Sequence, residues 1–168
     1  MTRAKSEHST ASLRKTSPVL RSPPQPAIPP IGPDAYPNVY CLKLDGDCLE
    51  PLIPDGAVVQ LKKSEKFGVG DVVCIWFRPE VLAPGSCQGW IKRVTLNVPP
   101  WVKFPYREHP EAEVSALVMV EQLNPPINYS LKCKHILAIH KAVGFVPCDV
   151  DIGSSISSGD LLPIGDGR

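Results

Sequence analysis

A cysteine and a lysine stand where they could act as a nucleophile and its base. Cys48 follows Gly46 and Asp47 in a tight turn just after an apolar segment, and Lys92 lies within the apolar segment 90–94. Such a turn exposes a side chain and leaves backbone N–H groups free, which are the components of an oxyanion site. An amine held among apolar side chains gives up its proton more readily than one in water. The sequence therefore predicts a Cys/Lys dyad that attacks a carbonyl carbon.

The direction of the lysine side chain follows from strand geometry. Alternate residues of a strand share a face, so Lys92 lies on the same face as Trp90 and Val94. A thiol beside an amine can form a nucleophilic thiolate. A thiol is also larger than a hydroxyl, and misplacement by about 1 Å can cost roughly a hundredfold in rate. An inactive site filled by Cys48 as a small hydrophobe is therefore the alternative.

Composition restricts the class of protein. The chain has 168 residues and a formal charge of +1, so it carries no overall field that favours nucleic acid. Residues 1–38 contain eight of the 20 prolines and an excess of Lys and Arg, which predicts a disordered basic tail. No apolar run has the length of a signal peptide or a membrane span, so we expect a cytoplasmic protein that does not bind membranes. The six cysteines are scattered, which favours reduced thiols.

The dyad must be positioned by strands. Short β-branched runs separated by turn residues predict strands at 39–44, 57–62, 71–78, 89–96, 114–121 and 136–146. The fold class is therefore mainly β, with one domain over 39–147. The segment 96–114 is rich in proline and predicts an insertion loop with an edge strand at 101–104. Asp47 could cap a helical turn over 49–52, and residues 148–168 predict a flexible tail.

Two other groups of residues have the types needed for catalysis or metal binding, but their sequence context does not suit either role. The segment Gly85-Ser86-Cys87-Gln88-Gly89 has the spacing of a hydrolase nucleophile elbow, which requires a preceding strand and a following helix. Here a strand follows instead, so we predict a hairpin loop. If Cys133, His135 and His140 lay in one strand, they would occupy two faces, which is a poor arrangement for a tetrahedral metal site. We therefore expect no metal and no cofactor.

Several boxes in fixed order resemble the self-cleaving regulators of the LexA and phage-repressor type, which share a Ser/Lys dyad and a mainly β fold with bacterial signal peptidases. The matching residues, spread over about 40–147, are Gly46-Asp47-Cys48-Leu49-Glu50-Pro51, Asp55-Gly56, Gly70-Asp71, Lys92-Arg93, Leu123-Asn124-Pro125, and the closing strand 139–146 around Gly144. In this chain Cys48 replaces the family's serine, and Leu49 replaces its methionine. His140 stands where the family pattern has glycine.

The resemblance implies a LexA-like, signal-peptidase-like domain in which Cys48 attacks a peptide carbonyl and Lys92 acts as general base. Gly46, Asp47 and Leu49 would support the turn and the oxyanion. Self-cleaving members cut at a small residue followed by glycine, but no Ala-Gly or Cys-Gly pair precedes Cys48. The proline-rich start cannot supply the family's helix-turn-helix, so no direct nucleic acid binding is expected.

Two functions are consistent with these residues. The first is a peptide-bond hydrolase of this family, with a peptide or protein segment as its substrate. The second is a pseudoenzyme, a catalytically inactive interaction or dimerisation module with the same fold. Because family members often dimerise through this domain, the resemblance also implies a possible homodimer.

Overall fold

A computed structural model describes residues 36–100, 102–104, 116–147 and 159–164, and over these residues the protein is mainly β. Seven strands form one sheet. They are β1 (Val39–Lys43), β2 (Val58–Lys62), β3 (Val72–Phe77), β4 (Gly89–Leu96), β5 (Leu117–Gln122), β6 (Ile127–Lys132) and β7 (Ile136–Val146). Two 3-10 turns, Pro79–Val81 and Cys133–His135, are the helical elements of the described residues.

The strand order is β1-β2-β7-β3-β4-β5-β6, and every neighbouring pair is antiparallel. The longest strand, β7, pairs with both β2 and β3 and so joins the two halves of the sheet. All six residues of β3 are buried, as expected for a central strand covered on both faces.

Two hydrophobic clusters cover the two faces of the central strands. The first contains Cys74 and Trp76 of β3 together with Leu49 and Ile53, which lie in the turn after β1. The second contains Ile75 of β3 and other apolar residues of β4, β5 and β7. Residues after β1 thus contribute directly to the core, and this burial holds the Cys48 turn against the sheet.

Most of the predicted strands are confirmed. The predictions 89–96 and 136–146 match β4 and β7, and the other predicted strands differ from β1, β2, β3 and β5 by a few residues at their ends. Strand β6 was not predicted. Its residues alternate between apolar and polar types, but they follow a turn containing two prolines, and most of its side chains are exposed.

The predicted edge strand at 101–104 is wrong for its described part. Residues 102–104 form no strand; instead the Val102 N–H donates to the carbonyl of Pro99 in a turn. The side chain of Val102 packs with Ala116 and Cys133 in a small third cluster. Trp101 lies outside the described residues.

Most of the two predicted tails lies outside the described residues, namely 1–35, 148–158 and 165–168. In the described part of the predicted C-terminal tail, Leu162 forms a bridge with Phe145 of β7, with N–O distances of 2.8 and 3.0 Å. No helix in the described ranges has the length and apolar character needed to cross a bilayer.

Candidate active site

The Cys48 turn is fixed by its own backbone and by a neighbouring carboxylate. Gly46 has a φ of 95°, a conformation that favours glycine, and its N–H donates to Oδ1 of Asp55 over 2.7 Å. The N–H of Glu50 donates to the carbonyl of Asp47 over 2.9 Å. Leu49 is 0% exposed and packs into the core, so one side of the turn is anchored by apolar burial. Cys48, between these anchors, is only partly buried.

The predicted helical turn over 49–52 is present as a single hydrogen-bonded turn. The N–H groups of Leu52 and Ile53 both donate to the carbonyl of Leu49. The carboxylate of Asp47 does not serve as the expected cap, because its Oδ2 accepts a hydrogen bond from Nδ2 of Asn124 over 2.9 Å. Asp47 therefore ties the turn to a distant part of the sheet.

The turn between β5 and β6 holds the nucleophile's backbone in place. The carbonyl of Cys48 accepts hydrogen bonds from the N–H groups of Leu123, over 2.7 Å, and Asn124, over 3.2 Å. Asn124 thus contacts both Cys48 and Asp47. Since three hydrogen bonds converge on two adjacent residues, rotation of the turn is strongly restricted.

Lys92 lies in the middle of β4, opposite Val73 of β3, and is only 8% exposed. Its Nζ atom is 6.0 Å from the centroid of the Trp90 ring. No carboxylate of the described residues lies within ion-pair distance of this amine. The predicted inward orientation of Lys92 is confirmed, and its surroundings are largely apolar.

The structure brings the two predicted catalytic side chains together. Nζ of Lys92 donates a hydrogen bond to Sγ of Cys48 over 3.1 Å. Within the described parts of the chain, the backbone N–H groups of Asp47 and Cys48 donate to no protein oxygen. These two N–H groups are therefore free to donate hydrogen bonds to a carbonyl oxygen placed near the sulfur.

Both members of the dyad line one cleft of about 340 Å³. One wall comes from residues 42–45 at the end of β1, and the other comes from residues 89–92 at the start of β4. Gln122 and Tyr129 close the side formed by β5 and β6. A cleft of this size lies at the lower end of the range for small-molecule and cofactor sites.

Tyr129 and Gln122 are cleft residues that the sequence analysis missed. The hydroxyl of Tyr129 donates to Oε1 of Gln122 over 2.9 Å, and Nε2 of Gln122 donates to the carbonyl of Asn124 over 3.3 Å. The alternation of Ile127, Tyr129 and Leu131 with polar residues is a strand signal, and it could have placed Tyr129 on one face of an edge strand.

The other candidate residues do not form a second site. Cys87 is exposed in the loop between β3 and β4, and a strand follows it, so the predicted hairpin loop is confirmed. Cys133 and His135 lie in a 3-10 turn, so these two side chains do not share one strand with His140. His140 lies in β7, and its side chain is hydrogen-bonded to Tyr40 in the core. No group of three metal-binding side chains forms among the described residues.

His140 belongs to a buried polar network that explains its presence in the core. Nε1 of Trp76 donates to the hydroxyl of Tyr40 over 2.8 Å, so that hydroxyl is free to donate its own proton to Nδ1 of His140 over 2.6 Å. Burial, assisted by the charge of Lys63, lowers the pKa of His140 to about 4. Burial also raises the pKa of Tyr40. Both groups are therefore neutral at pH 7.

Two of the cysteine thiols are unreactive because they are buried. Burial raises the pKa of Cys133 to about 11 and raises that of Cys74 as well, so both thiols keep their protons at neutral pH. Cys48, by contrast, is partly exposed and contacts an amine.

Comparison of the chain with protein-family models, curated proteins and solved structures returns no match.

Proposed function

We propose that this protein is a peptidase of the LexA type in which Cys48 is the nucleophile and Lys92 is the general base. The observation that carries the proposal is the 3.1 Å contact between Nζ and Sγ inside a cleft. A nucleophile within hydrogen-bonding reach of its base is the geometric requirement for this chemistry. The mainly β sheet and the order of the sequence boxes along it are consistent with that family.

The reaction begins with proton transfer from the Cys48 thiol to the Lys92 amine. The thiolate then attacks the peptide carbonyl carbon, and the electron pair of the C=O bond moves to oxygen. The tetrahedral intermediate collapses when its C–N bond breaks, and the ammonium of Lys92 gives its proton to the leaving nitrogen. Water, deprotonated by Lys92, hydrolyses the resulting thioester and regenerates the thiol.

The free amides of Asp47 and Cys48 would stabilise the oxyanion formed in this reaction. Loss of one such donor commonly costs 10²- to 10³-fold in rate. Gly46 allows the backbone curvature that exposes these amides, and the buried side chain of Leu49 holds the turn in place. The proposal therefore gives Gly46, Asp47 and Leu49 supporting roles.

A peptide is the substrate class that best fits the cleft. Strand β4 pairs with β5 only from Arg93 onward, so residues 89–92 keep a free edge toward β5 in the described structure. Strand β1 is the first strand of the sheet and pairs only with β2 among the described strands. An extended peptide can form backbone hydrogen bonds with such edges. The five described cysteines are free thiols, as a cytoplasmic location would require of a thiol enzyme.

Trapping the acyl-enzyme tests this proposal. The full chain is mixed with a peptide p-nitrophenyl ester, and Cys48 acylation is followed by intact mass and by peptide mapping. We expect one acyl group on Cys48, formed quickly in the wild type and at least roughly a hundredfold more slowly in Lys92→Met. Lys132→Met, which changes an exposed lysine of β6 outside the cleft, is the matched control.

Equal acylation of the wild type and Lys92→Met would contradict the peptidase proposal. It would favour the alternative, an inactive module of the same fold that uses its cleft to bind a protein segment. Incubation of the purified chain at raised pH gives a separate result. An intact chain would exclude self-cleavage but not cleavage of other substrates.

A further inference from the structure

We infer that the cleft selects substrates that carry a bulky apolar side chain beside the attacked carbonyl, and that Trp90 and Tyr129 set this preference. The inference rests on the proposed function of the Cys48–Lys92 pair. It departs from the small residue that the sequence resemblance would imply at the cleavage site. It follows from the side chains that line the cleft, and it names a substrate class for the same site.

Two aromatic rings form a wall beside the catalytic amine. The rings of Trp90 and Tyr129 meet edge to face, with centroids 5.6 Å apart and planes at 67°. Trp90 is held from behind by Phe77, at 5.0 Å and 71°. Such contacts fix aromatic rings in place. The wall is therefore a preformed apolar surface.

The polar end of Tyr129 is already satisfied within the protein. Its hydroxyl donates to Gln122, and the amide of Gln122 donates to the backbone of Asn124. The hydroxyl is therefore hydrogen-bonded within the protein, and the ring is the part of Tyr129 that is available to contact a substrate. Since Asn124 also holds the Cys48 turn, the wall and the nucleophile belong to one connected network.

The wall is close enough to the reacting atoms to contact the adjacent side chain of a substrate. The Trp90 ring centroid is 6.0 Å from Nζ of Lys92, and Nζ is 3.1 Å from Sγ of Cys48. The ring centroid is therefore no more than about 9 Å from Sγ, which is within reach of the side chain of a substrate residue whose carbonyl carbon meets Sγ.

The opposite wall has the same apolar character. Leu42 and Leu44 alternate with Lys43 and Asp45 along the chain, and the two leucines are more buried than the two charged residues. Together with Ile91, they make this wall of the cleft largely apolar, while Lys92 is the charge-bearing group inside the cleft. An apolar substrate side chain would gain burial against this wall, whereas an acidic one would lose hydration and engage the Lys92 amine that Cys48 requires.

The expected preference is large enough to measure. Differences of one to a few methylene groups in an apolar pocket change kcat/KM by roughly 10- to 200-fold. We therefore expect a substrate with Leu or Phe at this position to react at least about tenfold faster than one with Ala, and faster still than one with Asp.

The test uses peptide vinyl sulfones, acetyl-Gly-Gly-X-vinyl sulfone with X as Leu, Phe, Ala or Asp. The sulfur of Cys48 forms a bond to the β-carbon, the π pair moves to the α-carbon, and that carbon takes the proton from the thiol. Second-order labelling rates of Cys48 are measured on the full wild-type chain by peptide mapping, because Cys41 and Cys87 are also exposed thiols. The order Leu and Phe above Ala above Asp supports the inference; equal rates, or Ala fastest, overturn it.

Two variants separate the ring from its hydroxyl. Tyr129→Phe keeps the ring and removes the hydrogen bond to Gln122, so we expect the preference for Leu over Ala to stay within about twofold of wild type. Tyr129→Ala removes one of the two rings of the wall, and we expect the preference to fall by at least about threefold. An unchanged preference in a folded Tyr129→Ala overturns the assignment of Tyr129.

Failure of this inference can be told apart from failure of the proposed function. Iodoacetamide, which carries no peptide, is used to alkylate Cys48 in wild type and Lys92→Met. Lys92-dependent alkylation together with equal vinyl sulfone rates overturns only the side-chain preference. Alkylation that does not depend on Lys92 overturns the proposed function and, with it, the inference that rests on it.

Discussion

Lys92 donates a hydrogen bond through Nζ to Sγ of Cys48 over 3.1 Å, although 44 residues separate the two in sequence. Cys48 lies in the turn after β1, the first strand in the sheet order, whereas Lys92 lies in β4, the fifth. The contact therefore depends on packing between the Cys48 turn and the β4–β5–β6 part of the sheet. Hydrogen bonds from the N–H groups of Leu123 and Asn124 to the carbonyl of Cys48 hold the turn against that part of the sheet.

Asn124→Ala should weaken the alignment of Cys48 more than it weakens the fold. The substitution removes the side-chain hydrogen bond to Asp47, which is exposed, so the loss of stability should be only about 1 kcal/mol. A small displacement of the turn should nevertheless lower the rate of Cys48 acylation by roughly tenfold. Asn128→Ala, at an exposed position of β6, is the control for both measurements. Equal acylation rates in the two variants would contradict a positioning role for Asn124.

Leu49 should anchor the nucleophile turn through its volume. Because Leu49 is 0% exposed, Leu49→Ala should lower the free energy of unfolding by about 2–5 kcal/mol. Leu49→Met keeps the volume nearly unchanged and should cost less than about 1.5 kcal/mol. Chemical denaturation of the two variants checks this difference. Similar losses would show that the position depends on side-chain shape rather than on filled volume.

Gly144 should be required for the C-terminal segment to dock on β7. A Cβ atom at this position would lie 3.0 Å from Cβ of Leu161 and 3.0 Å from the carbonyl oxygen of Leu162. Gly144→Ala should therefore cost about 1–3 kcal/mol and speed hydrogen exchange at the amides of Phe145 and Leu162. Gly68→Ala is the matched control, because a Cβ there would meet nothing within 4 Å. Unchanged exchange at both amides in Gly144→Ala would contradict the docking.

His140 should make the protein less stable in mild acid. Its pKa is lowered from 6.5 to about 4 in the folded state, so the unfolded chain binds more protons between these values. Stability should therefore rise from pH 4 to pH 6.5 by up to about 3 kcal/mol through this residue. His140→Gln, which keeps an acceptor for Tyr40, should lose that part of the slope. Denaturation at several pH values measures it, and equal slopes in both proteins would exclude the effect.

The sequence was informative about the fold where side chains alternate or run continuously apolar. Strand β4 was predicted with its bounds because Gly89 and Leu96 enclose aromatic and β-branched residues on both sides of Lys92 and Arg93. Strand β6 was missed because Pro125 and Pro126 suggested a loop and because an edge strand needs little burial. The expected strand at 101–104 was wrong in its described part because Val102 packs into a small cluster without a strand partner.

The candidate site was only partly predictable for a related reason. Cys48 and Lys92 carry reactive groups in recognisable surroundings, so their residue types and the order of neighbouring boxes identified them. Tyr129 and Gln122 carry no such signal, and their place in the cleft depends on the pairing of β5 with β6. The partner of His140 was likewise hidden, because Tyr40 lies 100 residues away in sequence.

The most direct test of the central claim is the rate of Cys48 alkylation by iodoacetamide, with each cysteine quantified separately by peptide mapping. Cys41, which is exposed and does not line the cleft, serves as the internal reference. The Cys48–Lys92 dyad predicts that Lys92→Met slows alkylation of Cys48 by at least about tenfold and leaves Cys41 unchanged, while Lys132→Met, at an exposed lysine outside the cleft, changes neither. An equal rate at Cys48 in the wild type and in Lys92→Met would contradict the claim that this amine activates this sulfur.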